Sequence, residues 1–556
     1  MNGTGQCKQR LIINFYLTQL NKEDKETTLC EISSMNRNES IQQLATTSQW
    51  DIIIIGGGAT GLGAAIDAAS RGYKTLLLEQ YDFAKATSSR STKLVHGGVR
   101  YLQQGNIKLI KEALKERGLL LKNAPHVSAP LQFVIPVYSW WRKLYYAVGL
   151  KLYDLIAGKY SLGKTTVVSA ATVKEYLPTI DETNLHGGVV YFDGQFDDAR
   201  LAINMAQTAT EKGATLINYC EVIDFIRSGN KIDGVVFNDT LHQQQHTAMA
   251  KVIISATGVF ADKILNKLTA SHEPIVSVSQ GVHIVIDKKY FPEYRALMIP
   301  KTTDGRVLFA VPWHHRVVVG TTDTPVEKAS IEPVALKQEI DFIIQNVNQY
   351  LKVDISEKDV QAVFTGLRPL VHQKTAKTTA VLPRDHTILV DKRGVVTITG
   401  GKWTTYRKMA QEVVDKAMEL AALPPVISST ETIQLHGYAT GGGLRHHPLH
   451  CYGADLEAVE NLVNEDIQWK ELIIPGYLFI KAQVIWAIRQ EMAMTVEDFL
   501  ARRIRLLFLD AKAAIAAAPV VANIMAKEMN KDVAWINEQV DAFTELAQGY
   551  SMKKYE

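Results

Sequence analysis

The distribution of apolar and polar positions divides the chain into blocks of different character. Ile52, Ile53, Ile54 and Ile55 form a run of β-branched residues that is too short for a helix and typical of a strand buried on both faces. Residues 62–71 are small and apolar with helical spacing, and Lys74-Thr75-Leu76-Leu77-Leu78-Glu79 reads as a second strand. Residues 107–121 carry a helical pattern. Residues 187–192 read as a strand that ends in a turn at Asp193-Gly194-Gln195, and residues 197–213 as a helix. Further strands are predicted at 216–222, 233–238 and 251–258, the last apolar and ending in Ala256-Thr257-Gly258. Residues 282–286 and 316–320 alternate or run apolar between turns, as antiparallel strands do. Residues 395–399 followed by Gly400-Gly401 repeat the strand–glycine–helix arrangement. Past Pro424-Pro425 the pattern changes, and residues 482–529 are nearly all helical, with Thr495-Val496-Glu497-Asp498 offering a capping box.

These blocks predict a Rossmann-like α/β domain with a second, α+β domain inserted between its pieces and an all-α domain at the end. The expected boundaries are a flexible extension over 1–48; the α/β domain over 49–125, 187–265 and 380–425; the inserted domain over 126–186 and 266–379; and the helical domain over 430–550. A length of 556 residues suits two or three cores, and 46% apolar with 21% charged residues is the composition of an ordinary folded protein. A net charge of +3 argues against nucleic-acid binding. Cys7, Cys30, Cys220 and Cys451 are scattered without a C-x-x-C pair, which points to a reducing compartment and to no metal site.

No apolar run reaches the roughly eighteen residues that a membrane span needs. Residues 138–156 are rich in aromatic and basic side chains. A packed helix with exposed tryptophans is the preferred reading there, over a surface that dips into lipid headgroups. Residues 1–48 lack the marks of a signal or transit peptide and read as a loose arm, and Met35 is a candidate start. Residues 158–165 match the P-loop pattern letter for letter, but a helix-like segment precedes them and Thr166-Val167-Val168 follows. That context is inverted, and ATP hydrolysis is rejected.

The chemistry begins at Gly56-Gly57-Gly58-Ala59-Thr60-Gly61, a G-x-G-x-x-G motif between strand and helix. Gly56 makes the tight turn, Gly58 lets backbone approach a pyrophosphate, and Gly61 lets the helix lie close on the sheet. Glu79 can accept hydrogen bonds from ribose hydroxyls. The loop over 87–101, with Ser88, Ser89, Thr92, Lys93, Leu94, His96, Gly97 and Gly98, faces the same ligand with hydroxyls and free N–H groups. Thr257 and Gly258 pass beneath it. The helix start after Gly401, with Lys402 and Thr404, offers free N–H groups and is an anion site. No second fingerprint follows a strand, so the substrate itself is expected to donate hydride to one bound cofactor.

GGGATGLGAAIDAASRG, TSSRSTKLVHGGVRYL, SQGVHIVID, GTTDT, GLRPL, LPRDH, GGKWTTYRKMAQ and TVEDFLARRIRLLFLD occur in order over residues 50–520. With them the chain resembles the FAD-dependent, respiratory, bacterial-type glycerol-3-phosphate dehydrogenases. The resemblance implies an FAD-binding domain with a substrate domain of the D-amino-acid-oxidase type. It also implies oxidation of sn-glycerol 3-phosphate to dihydroxyacetone phosphate, with electrons passed to membrane quinone from a cytoplasmic, peripheral position. It adds Val222 to the cofactor residues. It places Arg100, Tyr101, Arg368, Arg384 and Lys402 around the substrate, where arginines suit a phosphate dianion. His283 is the candidate base for the C2 hydroxyl proton, with Arg368 beside it as a second catalytic group. A glycerophosphate oxidase and a non-catalytic flavin-binding regulator are the alternatives, and a homodimer is compatible with all three.

Overall fold

The computed structural model describes residues 35–98, 106–269, 273–371, 386–440 and 447–555. A parallel sheet carries the front of the chain. Its strands run in the order His386–Asp391, Val395–Gly400, Gln244–Ser255, Trp50–Ile55, Thr75–Leu78 and Thr215–Ile217, and only the first pair is antiparallel. The isoleucine run sits at its centre because both faces are covered. Ile52 and Ile54 pack with helices Ala59–Ser70, Asp198–Glu211 and Tyr406–Leu420. Ile53 and Ile55 pack on the other face against the meander Cys220–Ser228 and Lys231–Asp239. The strand expected over 216–222 is split by Tyr219, whose φ is +58°.

The second sheet has ten strands. Its spine is Val276–Asp287, paired antiparallel with Val360–Val371 on one side and Arg316–Gly320 on the other. Gly188–Phe196 also belongs here, paired with Ser128–Pro136. This corrects one expectation, since the Asp193-Gly194-Gln195 triplet is strand rather than turn, and it puts 188–196 in the second sheet while helix Asp198–Glu211 stays on the first. A turn there would lose the pairing of Val95 with Gly194, where an added Cβ would lie 2.6 Å from Val95 Cγ2.

The helical end shares a core with that sheet, since Val285, Trp313 and Phe364 pack with Phe499, Leu507 and Phe508. The long helical pattern is broken into Ala482–Glu491, a π-turn over Asp498–Arg503, Leu506–Leu509 and Ala511–Glu528. The breaks fall at Met492 (φ +49°) and Arg505 (φ +65°). Arg505 is turned inward onto the Ser89 carbonyl and the Asp198 carboxylate.

Residues 35–48 are also not the loose arm expected of them. Met35 is buried and bridges to Glu491, and Arg37–Thr46 is a helix capped by Asn36 and pinned by an Arg37–Asp239 ion pair at 2.9 Å. Residues 1–34 lie outside the described residues. Around the P-loop look-alike, helix Trp140–Ala157 precedes and strand Thr166–Val168 follows, the wrong way round for nucleotide binding.

Candidate active site

Three glycine turns at the C-terminal edge of the parallel sheet surround a cavity of about 810 Å³. Gly56 (φ +108°) leaves the first strand, and a Cβ there would lie 2.7 Å from the Ala256 carbonyl oxygen. At Gly61 a Cβ would lie 1.8 Å from the Gly56 oxygen, so the helix can approach only as glycine. The Ser88 hydroxyl accepts from the Ala59 N–H at 3.0 Å, and the Ser88 carbonyl accepts from Trp403 Nε1 at 2.8 Å. Thr399 Oγ1 donates to the Gly258 carbonyl at 3.0 Å. Hydrogen bonds thus join all three turns.

Of the residues expected at the cofactor, Gly56, Gly58, Glu79, Ser88, Val222, Thr257, Gly258, Gly401 and Lys402 line the cavity. Glu79 accepts from the Gly57 N–H at 2.5 Å and the Tyr81 N–H at 2.9 Å. Burial raises its carboxyl above the ordinary range, and those two N–H groups oppose the rise. The cavity fits a dinucleotide: open backbone at the fingerprint turn, an acid at the next strand tip, and Ile55 and Val222 as apolar walls.

The rest of the loop stands behind this wall. Ser89 is buried with its hydroxyl turned into its own turn. Leu94 packs in the second sheet's core. The His96 N–H donates to Thr404 Oγ1 at 3.3 Å, and the Gly97 N–H to the Tyr153 hydroxyl at 2.8 Å. Gly98 is buried and adopts φ +76°. Lys93, expected at the cofactor, is instead 0% exposed and bound to Asp198 Oδ2 at 2.7 Å and the Ser89 carbonyl at 2.9 Å. Sequence reasoning missed Asp198, which no motif marks, and gave no role to Arg505, although it lies within TVEDFLARRIRLLFLD. It also passed over Trp403, which lies within a motif already singled out.

His283 lies on the spine strand of the second sheet, 2% exposed. Its Nε2 is 2.8 Å from Thr92 Oγ1, its ring stacks on Phe364 at 4.7 Å, and Nδ1 is buried with no hydrogen-bond partner among the described residues. Gly320 makes room for it, since a Cβ there would sit 2.3 Å from the imidazole Cδ2. Burial first, then the charges of Lys93 and Arg368, holds the imidazole well below its ordinary pKa, so it is neutral. Arg368 stands on the paired strand, opposite Ser279. Its guanidinium donates to the Gln280 and Thr322 carbonyls, Thr321 Oγ1 and Asp323, which fixes its orientation. Arg100, Tyr101 and Arg384 lie outside the described residues.

Helix Trp140–Ala157 packs one face and exposes its tryptophans, as expected, and turns further apolar residues outward. Trp140 is 73% and Leu155 77% exposed, and Trp141, Leu144, Tyr145, Val148 and Leu152 are also exposed. Only Ala147, Leu150, Tyr153 and Ala157 are buried. Among the described residues no helix is long and apolar enough to cross a membrane.

Residues 51–407 match the family model described as FAD dependent oxidoreductase, and residues 396–535 that of the C-terminal domain of alpha-glycerophosphate oxidase. The chain is 38% identical to the mitochondrial glycerol-3-phosphate dehydrogenase of Homo sapiens, over 91% of this chain and 74% of that protein. It is 37% identical to the mitochondrial enzyme of that name from Arabidopsis thaliana, over 94% and 90%. A solved glycerol-3-phosphate dehydrogenase from Bacillus halodurans, complexed with FAD, superposes with a TM-score of 0.77 at 29% identity, covering 93% of this chain and 98% of that one.

Proposed function

This chain belongs to the FAD-dependent glycerol-3-phosphate dehydrogenase family, and we propose that it oxidises sn-glycerol 3-phosphate to dihydroxyacetone phosphate and passes the electrons to a membrane quinone. The observation that carries the reading is the bond between Thr92 and His283. It ties the cofactor loop of one domain to a buried, neutral imidazole of the other.

FAD would be held by the backbone at Gly56 and Gly58, by Glu79, and by the Gly401–Lys402 turn; when bound it supplies the acceptor for the hydride leaving C2. The neutral His283 is proposed to take the hydroxyl proton as the C–H bond breaks. Arg368, already rigid, places fixed positive charge against the developing alkoxide. Arg100 and Arg384, with Tyr101 and Lys402, are proposed to hold the phosphate.

The outward face of helix Trp140–Ala157 supports a peripheral membrane contact. Its apolar residues are interspersed with Arg142, Lys143 and Lys151, a composition that suits anionic headgroups. A quinone acceptor needs that position, whereas an oxidase using oxygen does not. The test is anaerobic turnover with a water-soluble quinone analogue beside oxygen uptake in air. Quinone reduction with little peroxide is expected. Oxygen uptake that keeps pace with substrate oxidation would favour the oxidase reading and remove the quinone.

A further inference from the structure

Lys93 is a buried cation that the proposed reaction leaves unused. Its ammonium is closed in by the rings of Trp313, Phe364 and Phe508 at 5.0, 5.1 and 5.5 Å. Asp198 Oδ2 accepts from it at 2.7 Å, and Asp198 Oδ1 accepts from Arg505 at 3.1 Å. Asp197 lies 3.8 Å from Arg505 and holds His314 at 2.9 Å. The Phe364 ring that Lys93 approaches is also the ring on which His283 stacks, and Thr92, the next residue in the chain, is bound to His283. Among the described residues, the charges that act on the imidazole are those of Lys93 from the loop and Arg368 from the strand.

We propose that Lys93 is a positioning residue for His283: its anchorage to Asp198 sets Thr92 on Nε2, and its charge keeps the imidazole unprotonated and able to accept. The proposal rests on His283 being the base. An ammonium held against the same phenyl ring raises the cost of an imidazolium, which favours the neutral acceptor before substrate arrives. Burial pulls Lys93 itself down to about 7, against the opposing pull of Asp198 and with Arg505 adding to the fall. Its charge is thus set within the working range of pH.

The test compares Lys93→Met, Lys93→Gln and Lys93→Arg holoenzymes. The two uncharged variants should keep FAD, lose turnover on the order of tenfold, and move the acid limb of kcat/KM to higher pH, because removing the cation lets His283 protonate more readily. Lys93→Arg should return the limb toward wild type. A second readout needs no turnover. In the wild type the folded Lys93 loses its proton near 7 and the unfolded one near 10.5. Between those values the unfolded chain binds the extra proton, so stability rises with pH there. The unfolding midpoint of wild type relative to Lys93→Met should climb across that window. An acid limb unmoved in both uncharged variants overturns the proposal. His283→Asn separates the two readings: a limb that survives that change sinks His283 as the base, and a limb that needs His283 but ignores Lys93 sinks only the role given to Lys93.

Discussion

The cofactor cradle and the wall behind His283 are built by opposite means. The cradle uses backbone: three glycine turns, each within a short contiguous motif, brought together by a parallel sheet. The wall uses buried charge gathered from distant parts of the chain. Lys93 from the loop, Asp198 from a helix start and Arg505 from the helical end meet where water is excluded. A backbone cradle tolerates no added atom but is indifferent to charge. A charge wall tolerates some change of shape but no unpaired partner, because an uncompensated buried ion costs several kcal/mol.

The hardest test of the cradle is Gly61→Ala. Its Cβ would lie 1.8 Å from the Gly56 oxygen, so purified protein should lose FAD and all turnover; a yellow, active variant would show that the turn can open. His283→Asn should retain FAD and lose turnover on the order of a thousandfold, as removal of a general base does. Flavin content and stopped-flow reduction measure the two separately. In a separate buried charge cluster Asp82 pairs with Arg502 and Arg503, and Arg503→Met leaves it with Arg502 alone. Loss of one partner from a buried pair costs about 3–5 kcal/mol, read as a lower denaturation midpoint with little change in KM. The smallest effect is expected farthest away. Trp140→Ser with Leu155→Ser should weaken flotation with anionic vesicles while turnover with a soluble acceptor stays the same. Equal flotation would leave the exposed face without a lipid role.

The same contrast explains what could be read in the chain. The Ile52–Ile55 run, Gly56, Gly61 and Glu79 announce themselves because their spacing is local and each has one mechanical job. The second sheet was legible in its alternating strands, though Gly188–Phe196 was cut short because an Asp-Gly-Gln triplet looks like a turn until Val95 pairs across it. Lys93 was misplaced for a related reason. Loop position shows that a residue is near the ligand and does not show which way it points, and Asp198, 105 positions away, decides that. The breaks at Met492 and Arg505 were hidden because both residues favour helix and leave it only for tertiary partners. Helix Trp140–Ala157 has enough apolar positions for either a core or a surface face, so only the fold could say which residues turn outward.

The central proposal, that this chain oxidises a phosphorylated secondary alcohol with flavin, is tested most directly by the visible spectrum of the purified protein under nitrogen. Addition of sn-glycerol 3-phosphate should bleach the flavin band, and glycerol at the same concentration should leave it unchanged. A flavin band that neither compound bleaches, or a colourless protein that FAD cannot reconstitute, would contradict the account.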